Sequence, residues 1–204
     1  MRSPTLRALV TLVVVFALCV FVWTLVRALW YAPDTGPAVP HPLAAQAHAV
    51  TAPTSSLPSR LIIPSLHINA NVQHVGVNAA GNMRAPDNFT DVSWYEYGTV
   101  PGFRGSAVMA GHVDNGLGLD GVFKHLDQLK IGDDVYVQTN GGAMLHFIVS
   151  DIEVYPYQNV PTSLLFSRND TARLNLITCT GSWVPGGADT YDHRIVIYTT
   201  LVQN

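Results

Sequence analysis

The sequence predicts a mostly β domain, either a barrel or a sandwich, behind an apolar N-terminal helix. Short runs of alternating or β-branched apolar residues recur from residue 59 onward, and turn residues such as Asn140-Gly141-Gly142 separate them. This pattern is typical of β-barrels and β-sandwiches. A 19-residue uncharged run from Ala8 to Val26 predicts the helix.

Seven runs carry the β prediction. They lie at residues 60–63, 71–77, 106–111, 133–139, 143–155, 173–178 and 193–201. The glycine-rich turn between the fourth and fifth runs predicts a hairpin. One helix is expected where Val122, Phe123, Leu126 and Leu129 recur at roughly helical spacing, and a single helical turn is expected over residues 161–166.

Composition excludes several classes of protein. The 204 residues are 48% hydrophobic and 12% charged, which is too apolar for a disordered chain. A net charge of −3 argues against a nucleic-acid-binding protein with a basic face. Two cysteines are too few for a disulfide-dense mini-protein or a four-cysteine zinc module.

The N-terminal run is predicted to be a membrane anchor. At ~1.5 Å per residue it would span about 28 Å, close to the ~30 Å hydrocarbon core of a bilayer. Arg2 and Arg7 precede the run, and all 14 acidic residues follow it. The positive-inside rule then places the N-terminus inside. We predict a cytoplasmic tail over residues 1–7, a transmembrane anchor over residues 8–30, and the rest of this single-pass protein on the extracellular face of the cell membrane.

A cleaved signal peptide is the alternative interpretation. The run is longer than the usual apolar region of a signal peptide, and the nearest good cleavage motif, Ala45-Gln46-Ala47, lies well downstream. Residues 31–58 contain six prolines and no periodic apolar pattern, which predicts an extended, semi-rigid linker. The folded domain is then expected over residues 59–204.

The cysteines point to a reactive thiol. Cys19 lies inside the predicted span, so it cannot pair with Cys179 in the exterior domain. Cys179 ends an alternating strand and precedes a loop, a position that exposes a side chain on a rigid support. Reactive cysteines need a cationic neighbour and a proton shuttle. A small, buried structural cysteine is the alternative.

His112 and Arg194 are the candidate partners of this thiol. Of the eight histidines, His112 alone ends an apolar strand and opens a glycine-rich loop, so it also lies at the end of a strand. Arg194 begins the strand that follows Cys179 after one loop, which makes the two strands expected hairpin neighbours. A permanent cation would then lie near the sulfur.

Three sequence blocks, AGHVD at 110–114, LITC at 176–179 and DHRIVIY at 192–198, follow one another in this order along the chain. They resemble the signature blocks of the sortases, the membrane-anchored cysteine transpeptidases of Gram-positive surfaces. The stretch at 94–114 is most similar to class F sortases, with classes D and E as near neighbours. The resemblance covers about residues 60–202 and implies a closed eight-stranded β-barrel with one or two short helices.

The resemblance also implies a catalytic set and a reaction. Cys179 matches the nucleophile of the family, His112 its histidine and Arg194 its arginine, with no cofactor and no metal. The implied reaction cleaves an LPxTG-like sorting signal through a thioester and transfers the surface protein to an amine of a peptidoglycan precursor or a pilin. Asn175 replaces the first threonine of the family block T-L-x-T-C, which leaves substrate preference open.

Two other functions stay open at this point. An L,D-transpeptidase-like wall cross-linking enzyme also uses a thiol, but its cysteine and histidine usually lie close in sequence, whereas 67 positions separate Cys179 from His112. A non-catalytic tethered β-domain that binds surface ligands is the other. A zinc site formed by His112, Asp114 and Cys179 would lack a clear fourth ligand.

Several nearby residues have two interpretations each. Asp114 could orient His112 or cap a turn, and the turn is favoured. Trp183 could shelter a substrate or pack locally. The acidic residues raise the question of a calcium site but lack EF-hand spacing, so a solvated acidic face is favoured. They are Asp120, Asp127, Asp133 and Asp134.

Overall fold

Eight strands close into a barrel in the computed structural model, which describes residues 4–30, 36–39, 52–115, 117–185 and 190–202. The N-terminal helix α1 spans Pro4–Trp30 and a short helix α2 spans Thr162–Phe166. The strands are β1 Pro58–Ile63, β2 Ile68–Val75, β3 Val92–Tyr95, β4 Gly105–Gly111, β5 Asp134–Thr139, β6 Met144–Pro156, β7 Ala172–Val184 and β8 Thr190–Leu201.

The order of the strands around the barrel is β1-β2-β3-β4-β7-β8-β6-β5, and β5 pairs with β1 to close it. Only the β2–β3 and β4–β7 pairs are parallel. The closed, mostly β architecture expected from the sequence is confirmed, as is the β5–β6 hairpin. Closure removes the unpaired strand edges that an open sheet would expose.

Two apolar clusters cover both faces of the strands that position the candidate site. In β4, Ala107 and Met109 face the barrel interior, whereas Val108 and Ala110 belong to a second cluster on the outer face, beneath α2. This two-sided burial explains why the sequence of β4 is continuously apolar rather than alternating. In β7, the next strand, Leu176 faces the interior and Ile177 belongs to the outer cluster.

Asn175 is a buried polar residue of β7 that binds α2. Its side chain is fully buried, and its Nδ2 donates a hydrogen bond to the carbonyl oxygen of Leu165 in α2 at 2.6 Å. The residue that departs from the sortase pattern therefore fastens a short helix to the outside of the barrel. Leu165 and Phe166 of that helix are buried against the barrel.

The helix predicted around Val122–Leu129 is wrong. Backbone N–H groups of Lys124, Leu126, Gln128 and Leu129 donate to carbonyls three residues earlier, so the segment forms successive tight turns and one 3-10 helix, Leu126–Gln128. The segment is bonded to the end of β4, because the Phe123 N–H donates to the carbonyl of His112 at 2.9 Å. Phe123, Leu126 and Leu129 are buried and Val122 is partly buried, so the apolar residues face the core without forming an α-helix.

The helix α1 has the length and composition of a membrane-spanning helix. The segment from Arg7 to Arg27 has a mean hydropathy of 2.9, and none of it is buried in the rest of the chain. A signal sequence would have the same properties, so both the anchor and the cleaved leader stay open as interpretations.

Four residues of the predicted linker pack on the barrel. The Met83 N–H donates to the carbonyl of Pro37 at 2.9 Å, and Ala38 forms an antiparallel bridge with Asn82. Val39 is 8% exposed and belongs to the outer apolar cluster. At these four residues the expectation of an unpacked linker is wrong. It is also wrong at the end of the predicted linker, where Ala52 and Leu57 pack against the core and Pro58 begins β1. The other linker residues before 52 lie outside the described part of the chain.

Candidate active site

Cys179 and Arg194 are directly opposite each other on neighbouring antiparallel strands. The register of β7 and β8 pairs them, with Thr178 opposite Ile195 and Thr180 opposite His193. Directly opposed residues in such a pair have Cβ atoms about 4.5–5.5 Å apart. The hairpin relation expected from the sequence is therefore confirmed, and both residues line the same cavity. Cys179 is a free thiol and is partly exposed.

His112 reaches the same place along a parallel pair of strands. The register of β4 and β7 pairs Ala110 with Ile177. One residue further, the Thr178 hydroxyl donates to the carbonyl of Gly111 at 2.7 Å. This bond joins the two chain segments immediately before His112 and Cys179. His112 follows the end of β4, whereas Cys179 lies within β7, which continues to Val184, so the strand end expected at Cys179 is wrong.

The imidazole of His112 is buried and oriented. Its Nε2 lies 2.9 Å from the carbonyl oxygen of Pro86, and the residue is 7% exposed. Because a carbonyl only accepts, Nε2 carries the proton of this bond, and Nδ1 is the nitrogen that can take up or release another proton. A Cβ at Gly111 would lie 2.6 Å from the Phe123 ring, so only glycine lets the buried turn pack against the end of β4.

Arg194 is fixed by hydrogen bonds from its own strand. Nη1 donates to the carbonyls of Tyr191 and His193, each at 2.9 Å, and Nη2 donates to the Thr190 hydroxyl at 2.8 Å. Its guanidinium carbon lies 5.8 Å from the centre of the Tyr157 ring, within the range of a cation–π contact. A guanidinium has five N–H donors. These bonds use three of the five, and the Nε–H and one Nη2–H take no part in them.

A hydrogen bond joins the histidine loop to the β7–β8 hairpin. The Tyr191 hydroxyl donates to the carboxylate of Asp114, two residues after His112. Burial raises the pKa of Tyr191 to about 12, and the Asp114 hydrogen bond and the negative charges of Asp114 and Cys179 add to the rise. The phenol therefore stays protonated and donating at physiological pH. Nothing in the sequence pattern links these two residues, and sequence reasoning missed this contact.

The register of the β7–β8 hairpin shifts between Thr180 and Trp183. Gly181 has φ +88°, and a Cβ there would lie 2.1 Å from Asp192 Oδ1. That carboxylate accepts hydrogen bonds from the Ser182 N–H and from His193 Nδ1, each at 2.8 Å, which lower the pKa of Asp192. Trp183 then packs edge-on against Tyr191, with 5.5 Å between ring centroids, and stays half exposed. Local packing is thus one role of Trp183.

Cys179, His112 and Arg194 line one cavity. The space left in it is about 20 Å³. The other lining residues are Gly36, Pro37, Ala85, Ala110, Gly111, Ile177 and Thr178. The structure thus brings together the three residues predicted from positions far apart in the sequence, while their catalytic roles stay a prediction.

Two of the acidic residues considered for a calcium site lie beside basic side chains. Asp120 Oδ1 lies 3.8 Å from Lys124 Nζ, and Asp134 Oδ1 lies 2.7 Å from His146 Nε2. No group of metal-ligating residues occurs in the described part of the chain.

The chain resembles solved structures of sortases of several classes. The chain is similar to sortase C-1 from Actinomyces oris, with a TM-score of 0.56 and 24% identity over 87% of this chain and 89% of that chain. Sortase A from Corynebacterium diphtheriae gives a TM-score of 0.55 and 21% identity over 72% of this chain and 61% of that one. The sortase D5 transpeptidase from Clostridium perfringens gives a TM-score of 0.52 and 18% identity over 72% of this chain and 79% of that chain.

At these identities the solved structures establish the fold alone. No curated protein matches the chain. The family is established by the sortase domain profile, which matches residues 61–202, more than two thirds of the chain. This chain therefore belongs to the sortase family, whose members are cysteine transpeptidases.

Proposed function

We propose that the chain is a membrane-anchored sortase of the class F type that cleaves an LPxTG-like sorting signal and joins the released protein to an amine. The cavity that contains Cys179, His112 and Arg194 supports this proposal. The resemblance of residues 94–114 supports the class. In this proposal residues 1–7 are cytoplasmic and residues 8–30 cross the membrane. Residues 31–58 connect the membrane helix to the domain, with residues 36–39 bound to residues 82 and 83, and residues 59–204 work outside the cell.

The first step is acylation of Cys179. Its thiolate attacks the threonyl carbonyl of the sorting signal, and the Sγ–C bond forms as the Thr–Gly C–N bond breaks. Protonated His112 gives its Nδ1 proton to the departing glycine amine, because Nε2 is already bonded to the Pro86 carbonyl. The products of this step are a thioester at Cys179 and a free amino group.

The second step returns the enzyme to its starting state. An amine of a peptidoglycan precursor or a pilin attacks the thioester, neutral His112 accepts a proton from it, and the Cys179 thiolate leaves. An amide bond replaces the thioester, so the two steps together exchange one amide for another without an external energy source. The acceptor determines whether the surface protein is anchored to the wall or added to a pilus.

Arg194 stabilises the charge that develops on the carbonyl oxygen in both steps. Three of its N–H groups are bound to Tyr191, His193 and Thr190, so the guanidinium is fixed before the substrate arrives. The two N–H groups outside these bonds are suited to an oxyanion. A donor that does not reorganise during the reaction contributes more than a mobile one. The position of Arg194 opposite Cys179 in the strand register is the single observation that carries the proposal.

A transfer assay tests this function. We expect the full chain in detergent micelles to convert an LPxTG-containing peptide and triglycine into a product joined at the threonine, identified by mass spectrometry. A matched peptide with the threonine replaced by valine should give no product. Transfer between D-amino-acid wall peptides, with the LPxTG peptide left intact, would contradict the proposal and favour an L,D-transpeptidase-like enzyme. Absence of both reactions would favour a binding domain.

A further inference from the structure

His112 lies between two hydrogen bonds that come from the β7–β8 hairpin. The Thr178 hydroxyl of β7 donates to the carbonyl of Gly111, one residue before the histidine, at 2.7 Å. The Tyr191 hydroxyl of β8 donates to the carboxylate of Asp114, two residues after the histidine. The hairpin that contains the candidate nucleophile therefore holds the histidine segment on both sides.

The bond between Tyr191 and Asp114 joins two parts of the barrel that the sheet does not join. The order of the strands is β4-β7-β8, so β7, which contains Cys179, lies between the histidine strand β4 and β8. The strand β4 pairs with β3 and β7, whereas β8 pairs with β7 and β6. Main-chain pairing thus relates β4 to β8 only through β7, and the side-chain bond adds a direct link.

Tyr191 is bonded to both of the candidate partners of the thiol, one of them through Asp114. Its carbonyl oxygen accepts a hydrogen bond from Arg194 Nη1 at 2.9 Å, and its hydroxyl donates to Asp114. Its ring packs edge-on against Trp183. Burial raises the pKa of Tyr191 to about 12, and the hydrogen bond to Asp114 and the negative charges of Asp114 and Cys179 add to the rise. The hydroxyl therefore stays a donor over the whole physiological range of pH.

Two further contacts of His112 come from outside the hairpin. Its Nε2 lies 2.9 Å from the carbonyl oxygen of Pro86, and its own carbonyl accepts from the Phe123 N–H at 2.9 Å. Both contacts relate the imidazole to loops rather than to the strand of the sulfur. A misplacement of about 1 Å between reacting groups can lower a rate about a hundredfold. A bond from the hairpin to the histidine segment therefore bears directly on proton transfer.

We propose that Tyr191 is a positioning residue, whose hydrogen bond to Asp114 holds His112 where it can deliver a proton to the leaving amine. This inference rests on the proposed function. In the acylation step the Sγ–C bond of Cys179 forms, the Thr–Gly C–N bond breaks, and the proton of His112 goes to the glycine amine. A displaced imidazole slows the departure of the amine and not the binding of the peptide, so the loss falls on kcat rather than on KM.

The first test is Tyr191→Phe, which removes the hydroxyl and keeps the ring that packs against Trp183. With the full chain in detergent micelles, an LPxTG peptide and triglycine, we expect kcat to fall about ten- to a hundredfold and KM to stay within about twofold. Tyr136→Phe is the matched control, because Tyr136 lies in β5, which β6 separates from the hairpin. It makes the same chemical change and should leave both constants within about twofold.

Substitutions at Asp114 separate the hydrogen bond from the charge. The amide oxygen of Asp114→Asn still accepts from the Tyr191 hydroxyl, so kcat should stay within about threefold of the original. Asp114→Ala has no acceptor and should match Tyr191→Phe. The double variant, Tyr191→Phe with Asp114→Ala, should lose no more than either single variant, because both changes remove the same bond. Additive losses would overturn the inference.

A second substrate distinguishes a misplaced proton donor from a damaged site. In a matched peptide thioester, sulfur replaces the nitrogen of the Thr–Gly bond, and the thiolate departs without a proton because ordinary thiols have a pKa of about 8.5. Tyr191→Phe should act on this thioester within about threefold of the original rate. A merely structural role would slow both substrates equally, and that result would overturn the inference.

The original chain, assayed beside the variants, separates this inference from the proposed function. Transfer of the LPxTG peptide at equal rates by the original chain and by Tyr191→Phe would overturn the positioning role and leave the proposed function intact. No transfer by the original chain would overturn the proposed function and this inference with it.

Discussion

Replacing Cys179 with alanine is expected to lower peptide transfer by more than about a thousandfold, because no acyl-enzyme can form without the sulfur. His112 and Arg194 still line the cavity in this variant, so the substitution removes only the nucleophile. The measurement is the initial rate of transfer of an LPxTG peptide to triglycine. Because Cys179 is partly exposed, the thermal unfolding midpoint should change little.

The chain provides a matched control for this substitution. Cys19 is the other free cysteine and lies in α1, within the segment long and apolar enough to cross a membrane. Cys19→Ala makes the same chemical change away from the barrel and should keep the transfer rate within about twofold of the original, as is usual for substitutions that remove no specific contact. A Cys179→Ala variant that transfers at the original rate would rule out this nucleophile.

Replacing Arg194 with lysine is expected to lower kcat/KM by about 10²- to 10³-fold, the usual effect of removing one oxyanion donor. Lysine keeps the positive charge but lacks the planar fork that reaches two carbonyls and the Thr190 hydroxyl at once. The substitution therefore separates the geometry of the guanidinium from its charge. Steady-state kinetics of peptide transfer measure it, with thermal unfolding to report any loss of stability.

Arg104→Lys is the matched control for this second prediction. Arg104 is exposed and precedes β4, at the end of the strand opposite His112, where its Nε donates to the Asn169 carbonyl. Its replacement should leave kcat/KM within about twofold, as expected for most surface substitutions. Equal losses of kcat/KM in the two lysine variants, or no loss in Arg194→Lys, would contradict the role given to the planar guanidinium of Arg194.

The convergence of Cys179, His112 and Arg194 was predictable because strands constrain their neighbours. Cys179 and Arg194 lie in two alternating, β-branched runs joined by one loop, and such runs favour an antiparallel hairpin. His112 required a further step, the parallel pairing of β4 with β7. The continuous apolar run of β4 indicates a strand buried on both faces, and parallel strands are usually buried in this way.

The sequence did not predict the features that depend on contacts between distant parts of the chain. The strand β3 has four residues, all buried, so its sequence has neither the length nor the alternation of a half-exposed strand. The hydrogen bond between Tyr191 and Asp114 joins residues 77 positions apart through side chains alone. Residues 36–39 have no strand pattern, and their position follows from pairing with residues 82 and 83.

The most direct test of the account is the mass of the chain after it reacts with a sorting peptide. The reaction is stopped with acid within the first turnover, and the protein is digested and analysed by tandem mass spectrometry. The account predicts that the peptide fragment ending in threonine is attached to Cys179 through a bond that hydroxylamine cleaves. Peptide cleavage with no adduct on Cys179, or with the adduct on another residue, would contradict it.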